Sequence, residues 1–169
     1  MKRPALLLVA SLGLPTAPAL SQAACGPTPE AAVQAVNRVR VVAHPCGSMP
    51  AAGVAPVAWD ERLAASAARY ATELALRDEL SHRGQAVVTL KRRLFEVDYP
   101  MDKAGENLGS GPETLAQALQ LWLASAEHCA NLMEPGFIHL GLACAENAVS
   151  GRAYWVMHLA APVRSSPGR

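Results

Sequence analysis

The chain has 169 residues, with 15 Lys and Arg against 14 Asp and Glu, 51% hydrophobic, 17% charged and 5% aromatic residues. Such a length and apolar content fit one domain with a core of ordinary size and exclude disorder as its main state. A formal charge of +1 with no sustained basic stripe leaves no footprint for phosphate neutralisation, so no nucleic-acid partner is expected.

Lys2 and Arg3 precede an apolar run from Ala5 to Leu14, a Pro-broken stretch and small residues at Ser21, Ala23 and Ala24. This is the pattern of a secretory signal peptide over residues 1–24. The run is too short for a mature transmembrane helix, and no later segment approaches the ~20 apolar residues that a span needs. The mature chain is therefore expected to be soluble, without a membrane span, and secreted or periplasmic. Loss of Lys2 and Arg3 from the 15 basic residues, with all 14 acids kept, gives it a formal charge of −1.

Cys25, Cys46, Cys129 and Cys144 all lie beyond the expected cut. Four cysteines in an exported chain argue for two disulfides, with three pairings open. Local closure favours Cys25 to Cys46 and Cys129 to Cys144, loops of about 15 to 20 residues valued at about 3 kcal/mol each in the chain-entropy picture. A competing reading makes Cys25 the lipidated first residue of a lipoprotein, but Gln22 stands where that signal wants Leu, and an odd cysteine would be stranded.

Thr28, Pro29 and Glu30 read as cap, first-turn proline and first-turn acid of a helix running through Val36 to Arg40. Ser48 to Val57 reads as a loop. Trp59 and Asp60 start a second helix, with Asp60 as cap and Leu63, Ala67, Tyr70 and Leu74 as its buried stripe. A short amphipathic piece spans Leu90 to Phe95. Gly105 to Gly109 is too glycine-rich for a helix interior. Pro112 and Glu113 open a helix with Leu115, Leu119, Trp122 and Leu123 on one face, a stripe read as core rather than a lipid groove, and His128 to Met133 add a further turn or two. Phe137 to Cys144 and Arg152 to Leu159 are strand candidates that should pair as an antiparallel hairpin. The domain is taken as residues 25–160, followed by a frayed tail over 161–169.

Trp59-Asp60, Leu80-Ser81-His82-Arg83-Gly84, Gly105-Glu106-Asn107-Leu108, Trp122 followed by His128, Asn131-Leu132-Met133 and Tyr154-Trp155-Val156 stand in this order along the chain. Together they resemble the bacterial, SCP-like extracellular branch of the CAP superfamily, which groups cysteine-rich secretory proteins, antigen 5 and plant pathogenesis-related proteins. The resemblance covers Thr28 to Leu159 and implies an α+β fold, a three-layer αβα sandwich with a small antiparallel sheet flanked by helices. It also implies a central cleft lined by His82, Glu106 and His128. Ser125 stands where eukaryotic members carry a second glutamate, and Glu127 is not the matching position. Val97-Asp98-Tyr99 departs from the usual Gly-Tyr, a change expected to alter only a turn.

Two imidazoles and a carboxylate are the donors of a three-ligand zinc site with an open position, so zinc or another divalent cation is the expected cofactor, held by His82, Glu106 and His128. No HExxH spacing supports it, and the same three residues suit a hydrogen-bond network that pins a loop to two helices. A serine hydrolase built on Ser125 and His128 lacks a nucleophile elbow, and a disulfide at Cys129 removes a cysteine nucleophile. His44 reads as loop or surface, His139 and His158 as half-buried satisfied strand residues, and Lys91-Arg92-Arg93 as a solvated helix face.

Two function classes follow. The favoured one is an exported binding module for a divalent metal, peptide or apolar ligand such as a lipid, acting at the cell envelope or outside it. The alternative is a metal-assisted or acid/base hydrolase with Glu106 as base and His82 and His128 as ligands or acid. With no heptad seam or long exposed apolar run, a monomer is expected.

Overall fold

The computed structural model describes residues 25–163. The expected signal peptide and the last six residues of the tail lie outside the described residues.

Helix α1 (Pro29–Arg40) begins as expected, with the Thr28 hydroxyl accepting from the Ala31 N–H and Pro29 at the first helical position. A small hairpin follows, β1 (His44–Cys46) and β2 (Met49–Ala51), turning at Gly47 with φ 64°, and its second strand lies in the stretch read as a loop. Trp59 belongs to a two-residue strand, β3 (Ala58–Trp59), rather than to a helix, because Ala58 and Asp60 donate backbone N–H bonds to Ile138 and Leu140. Asp60 then caps α2 (Glu61–Arg77), accepting from the Arg62 and Leu63 N–H groups. Helix α3 (Leu90–Phe95) starts at the Thr89 cap. Asp98 follows it with φ 53°, absorbing the turn change read from Val97-Asp98-Tyr99.

The glycine-rich stretch from Gly105 is the middle of a ten-residue strand, β4 (Met101–Ser110). Glycine density spoke against a helix and hid the strand. Helix α4 (Leu115–Ala124) starts two residues beyond Pro112-Glu113, because Thr114 and Gln117 form a reciprocal capping box. The extended backbone of Ser125 separates it from α5 (Ala126–Leu132). Strands β5 (His139–Glu146) and β6 (Ala153–Pro162) form the expected antiparallel hairpin, and β6 runs into the segment assigned to the tail.

The main sheet has the order β3-β5-β6-β4, antiparallel except for β3, which runs parallel to β5. Alternation along β6 sends Trp155, Met157 and Leu159 to a core shared with α1, α4 and α5, while Tyr154 and Val156 face Ala67, Tyr70 and Leu74 of α2. Trp122 is fully buried, as its core reading requires. Helix α2 lies so close to β5 that a Cβ on Gly141 would sit 2.2 Å from the Ala64 nitrogen. Helices thus cover both faces of a small sheet, which is the three-layer αβα sandwich.

The disulfides join Cys25 to Cys144 and Cys46 to Cys129, not the local pairs. Helix α1, 12 residues long and about 18 Å at the helical rise, carries the chain away from Cys25, which lies beside β5 with its Cα 5.4 Å from that of Cys144. Cys129 instead faces β1 from α5, which places it 5.3 Å from Cys46 between Cα atoms.

Candidate functional site

Strand β4 is an outer strand of the sheet, packed against α3, α4 and α5. Glu106, in register with His158 on β6, turns toward the α2 and α3 side. Its side chain is 5% exposed, and both carboxylate oxygens are occupied. Oε1 accepts from His82 Nδ1 at 2.9 Å. Oε2 accepts from His158 Nε2 at 2.9 Å and from Arg93 Nη2 at 2.5 Å. Burial pushes the Glu106 pKa up, but the hydrogen bonds from His158 and His82, with the charge of Arg93 beside them, hold it at about 2. An ionised carboxylate only accepts, so the bonded nitrogens His82 Nδ1 and His158 Nε2 both carry protons.

That assignment leaves a lone pair on Nε2 of neutral His82. Its side chain is 60% exposed, so this nitrogen belongs to an accessible ring. The bond to Glu106 raises the His82 pKa, whereas burial, and then His82 itself, lower that of His128. The two rings stand 6.4 Å apart between centroids, tilted by 34°. Behind them the two asparagines of the motifs lock α5 to β4. Asn107 Nδ2 donates to the His128 carbonyl at 2.9 Å, and Asn131 Nδ2 donates to Asn107 Oδ1 at 3.0 Å and to the Glu106 carbonyl at 3.3 Å. Gly105 is what allows this approach, because a Cβ there would lie 2.8 Å from Asn131 Oδ1.

The three sequence-derived residues therefore meet in one region, but in different roles. Among the described residues no group of three or more His, Cys, Asp or Glu side chains is placed to hold a metal ion. Glu106 already accepts from three donors, one on Oε1 and two on Oε2, which leaves the imidazoles of His82 and His128 as the less committed donors for a cation. Ser125 is the joint between α4 and α5, and its side chain makes no capping bond.

Two members of the site differ from what the sequence predicts. Arg93 is not part of a solvated face. It is 5% exposed, pairs with Glu106, donates to the Val87 carbonyl and stacks 3.6 Å above the centroid of the Tyr70 ring. Lys91 and Arg92 are exposed as expected. His158 is fully buried rather than half-buried, and its Nδ1 has no partner among the described residues. The signal for His158 was its place opposite Glu106, legible only once β4 is seen to be a strand. His139 is partly exposed and bonded to the Tyr99 hydroxyl at 2.9 Å.

Comparison with known proteins identifies the family and the fold. The model of the cysteine-rich secretory protein family (CAP) matches residues 33–159. The uncharacterized protein YkwD of Bacillus subtilis (strain 168) is 24% identical over 95 residues, 56% of this chain and 37% of its own length. The crystal structure of an extracellular protein containing an SCP domain from Bacillus anthracis str. Ames superposes with a TM-score of 0.55 at 25% identity, covering 63% of this chain and 34% of that one. The chain thus spans about a third of the length of these two relatives. The crystal structure of NaASP2 with Zn2+ shares the fold, with a TM-score of 0.54 at 16% identity over 77% of each chain.

Proposed function

The chain belongs to the cysteine-rich secretory protein (CAP) family, and from that premise we propose that it is an exported binding module whose cleft takes a divalent cation, zinc foremost, between His82 and His128. The observation that carries this reading is the Glu106–His82 hydrogen bond. A carboxylate that fixes the protonated nitrogen of an imidazole orients the opposite nitrogen toward a metal and makes it a better donor, the usual outer-sphere arrangement at histidine sites. NaASP2, which shares the fold, has been crystallised with Zn2+. A bound cation would supply Lewis acidity and an anchoring charge. The chain's own residues supply orientation: Arg93 and His158 hold Glu106, Glu106 holds His82, and the Asn107–Asn131 pair holds the helix that carries His128.

The same bonds weigh against Glu106 as a general base. A base at neutral pH needs a pKa near 7, whereas Glu106 is held at about 2 with both of its oxygens already hydrogen-bonded. Export is supported by the two disulfides, and among the described residues no helix is long and apolar enough to cross a membrane.

Isothermal titration with zinc tests the metal reading. Binding is expected at about pH 7.5 and should weaken at about pH 5.5, as protons compete for the imidazoles. Either His82→Ala or His128→Ala should lower affinity at least about tenfold, since each removes one of two ligands. Equal binding by wild type and both variants would place the metal elsewhere.

A further inference from the structure

One wall of the cleft beside Glu106 is main chain. Strand β4 is bonded to β6 alone. In an antiparallel ladder, successive residues point their N–H and C=O groups alternately at the partner strand and away from it. Asn131 and Trp122 reach the carbonyls of Glu106 and Leu108 from outside the sheet, at 3.3 and 2.8 Å. Even-numbered residues of this stretch therefore face outward, Ala104 among them. Among the described residues no hydrogen bond outside the β4–β6 ladder reaches the Ala104 N–H or C=O, or the Glu106 N–H.

These groups border a cleft of about 540 Å³ whose lining includes His82, Arg83, Thr89, Ala104, Glu106 and Asn131. The cleft is unbalanced in charge. Glu106 is already matched by Arg93, whereas Arg83 is exposed and forms no ion pair among the described residues. The edge is also recessed, with Ala104 half-buried and Glu106 8% exposed. A recess bordered by unpaired main-chain groups suits a single extended chain.

We propose that the cleft binds an extended acidic peptide, which adds to the free edge of β4 along Ala104–Glu106 and directs a carboxylate at Arg83. Main-chain pairing supplies the affinity and tolerates varied side chains, while the charge supplies the preference. The proposal rests on the chain being a binding module but does not require the metal.

The probe is a fluorescein-labelled peptide of about seven residues, alternating Thr and Val and ending in two Glu, long enough to pair along the exposed edge. Anisotropy is read in EDTA, so that failure of the zinc reading leaves this test intact. Wild type should bind, and amide exchange at Ala104 and Glu106 should slow in the complex. The same peptide N-methylated at alternate residues should bind at least about tenfold more weakly, having lost its donors. Ala104→Pro removes an outward N–H without taking a bond from the β4–β6 ladder and should weaken binding similarly, and Arg83→Gln should erase the preference over a peptide ending in two Lys. Equal binding of the N-methylated peptide, or no binding of the parent peptide by wild type, would overturn the proposal, and the N-methyl comparison on wild type holds even if Ala104→Pro does not fold.

Discussion

A carboxylate removed from water is stable as an anion only where donors surround it, and Glu106 has three. Its pKa lies at about 2, below the ordinary value of 4.5. Because the folded value is the lower one, the stabilisation is fully present above the unfolded pKa and is lost as pH falls through the folded one, between about pH 4.5 and pH 2. The size of the shift corresponds to about 3 kcal/mol. His82 acts with the opposite sign: its raised pKa favours the fold at acid pH, and that contribution fades as pH rises through the raised value. Urea denaturation should therefore show wild-type stability falling from about pH 4.5 to pH 2, and Glu106→Gln should flatten that fall and cost about 3 kcal/mol at pH 7, where Arg93 is left buried without its anion. An unchanged acid limb in the variant would mean that other carboxylates govern acid unfolding. The three cleft residues were legible from motif spacing, whereas Arg93 and His158 were not, because their roles depend on which way a short helix and a strand turn their faces. In Lys91-Arg92-Arg93 the composition suggests solvent, and only the rotation of α3 buries the last of the three.

The helices were readable from local chemistry, since caps at Thr28 and Asp60 and a stripe such as Leu63, Ala67, Tyr70 and Leu74 are encoded within a few residues. So was the β5–β6 hairpin. Strands β3 and β4 were not, because a two-residue strand has no period and four residues of β4, Gly105 to Leu108 with Gly109 following, carry a motif in place of alternation. The disulfides fall in the same class, since sequence distance favours local loops while rigid elements decide which cysteines meet. The observed bonds tie the segment before α1 to β5, and β1 to α5, across sequence separations of 119 and 83 residues. In the chain-entropy picture such long loops restrain the unfolded chain by about 4 to 5 kcal/mol each, against about 3 for a short one. Non-reducing peptide mapping should return Cys25 with Cys144 and Cys46 with Cys129. The paired change Cys46→Ala with Cys129→Ala should lower stability by about 2 to 5 kcal/mol and loosen α5, the helix that carries His128. Recovery of a Cys25–Cys46 peptide would overturn the observed topology.

At the scale of the whole molecule, the sheet is covered on both faces, so any association through it would have to use its two edges. One edge is β3, two residues long, too short to template a partner strand. The other is β4, where a register shift between Met101 and Lys103 and the exposed Asp102 and Lys103 spoil the outer end, and the recessed cleft encloses the rest. Bulges and charged residues on an edge strand are the usual means by which folded domains avoid pairing with copies of themselves. The exposed large apolar side chains are dispersed over the chain, from Val41 and Met49 to Phe95, Leu121, Ile138 and Val149. Sedimentation velocity at about 1 to 100 μM, a range that brackets typical weak self-association, should accordingly show a single species of monomer mass, unchanged when zinc is added. A dimer across that range would point to β4 pairing with its own copy, and its loss in Ala104→Pro would identify the edge responsible.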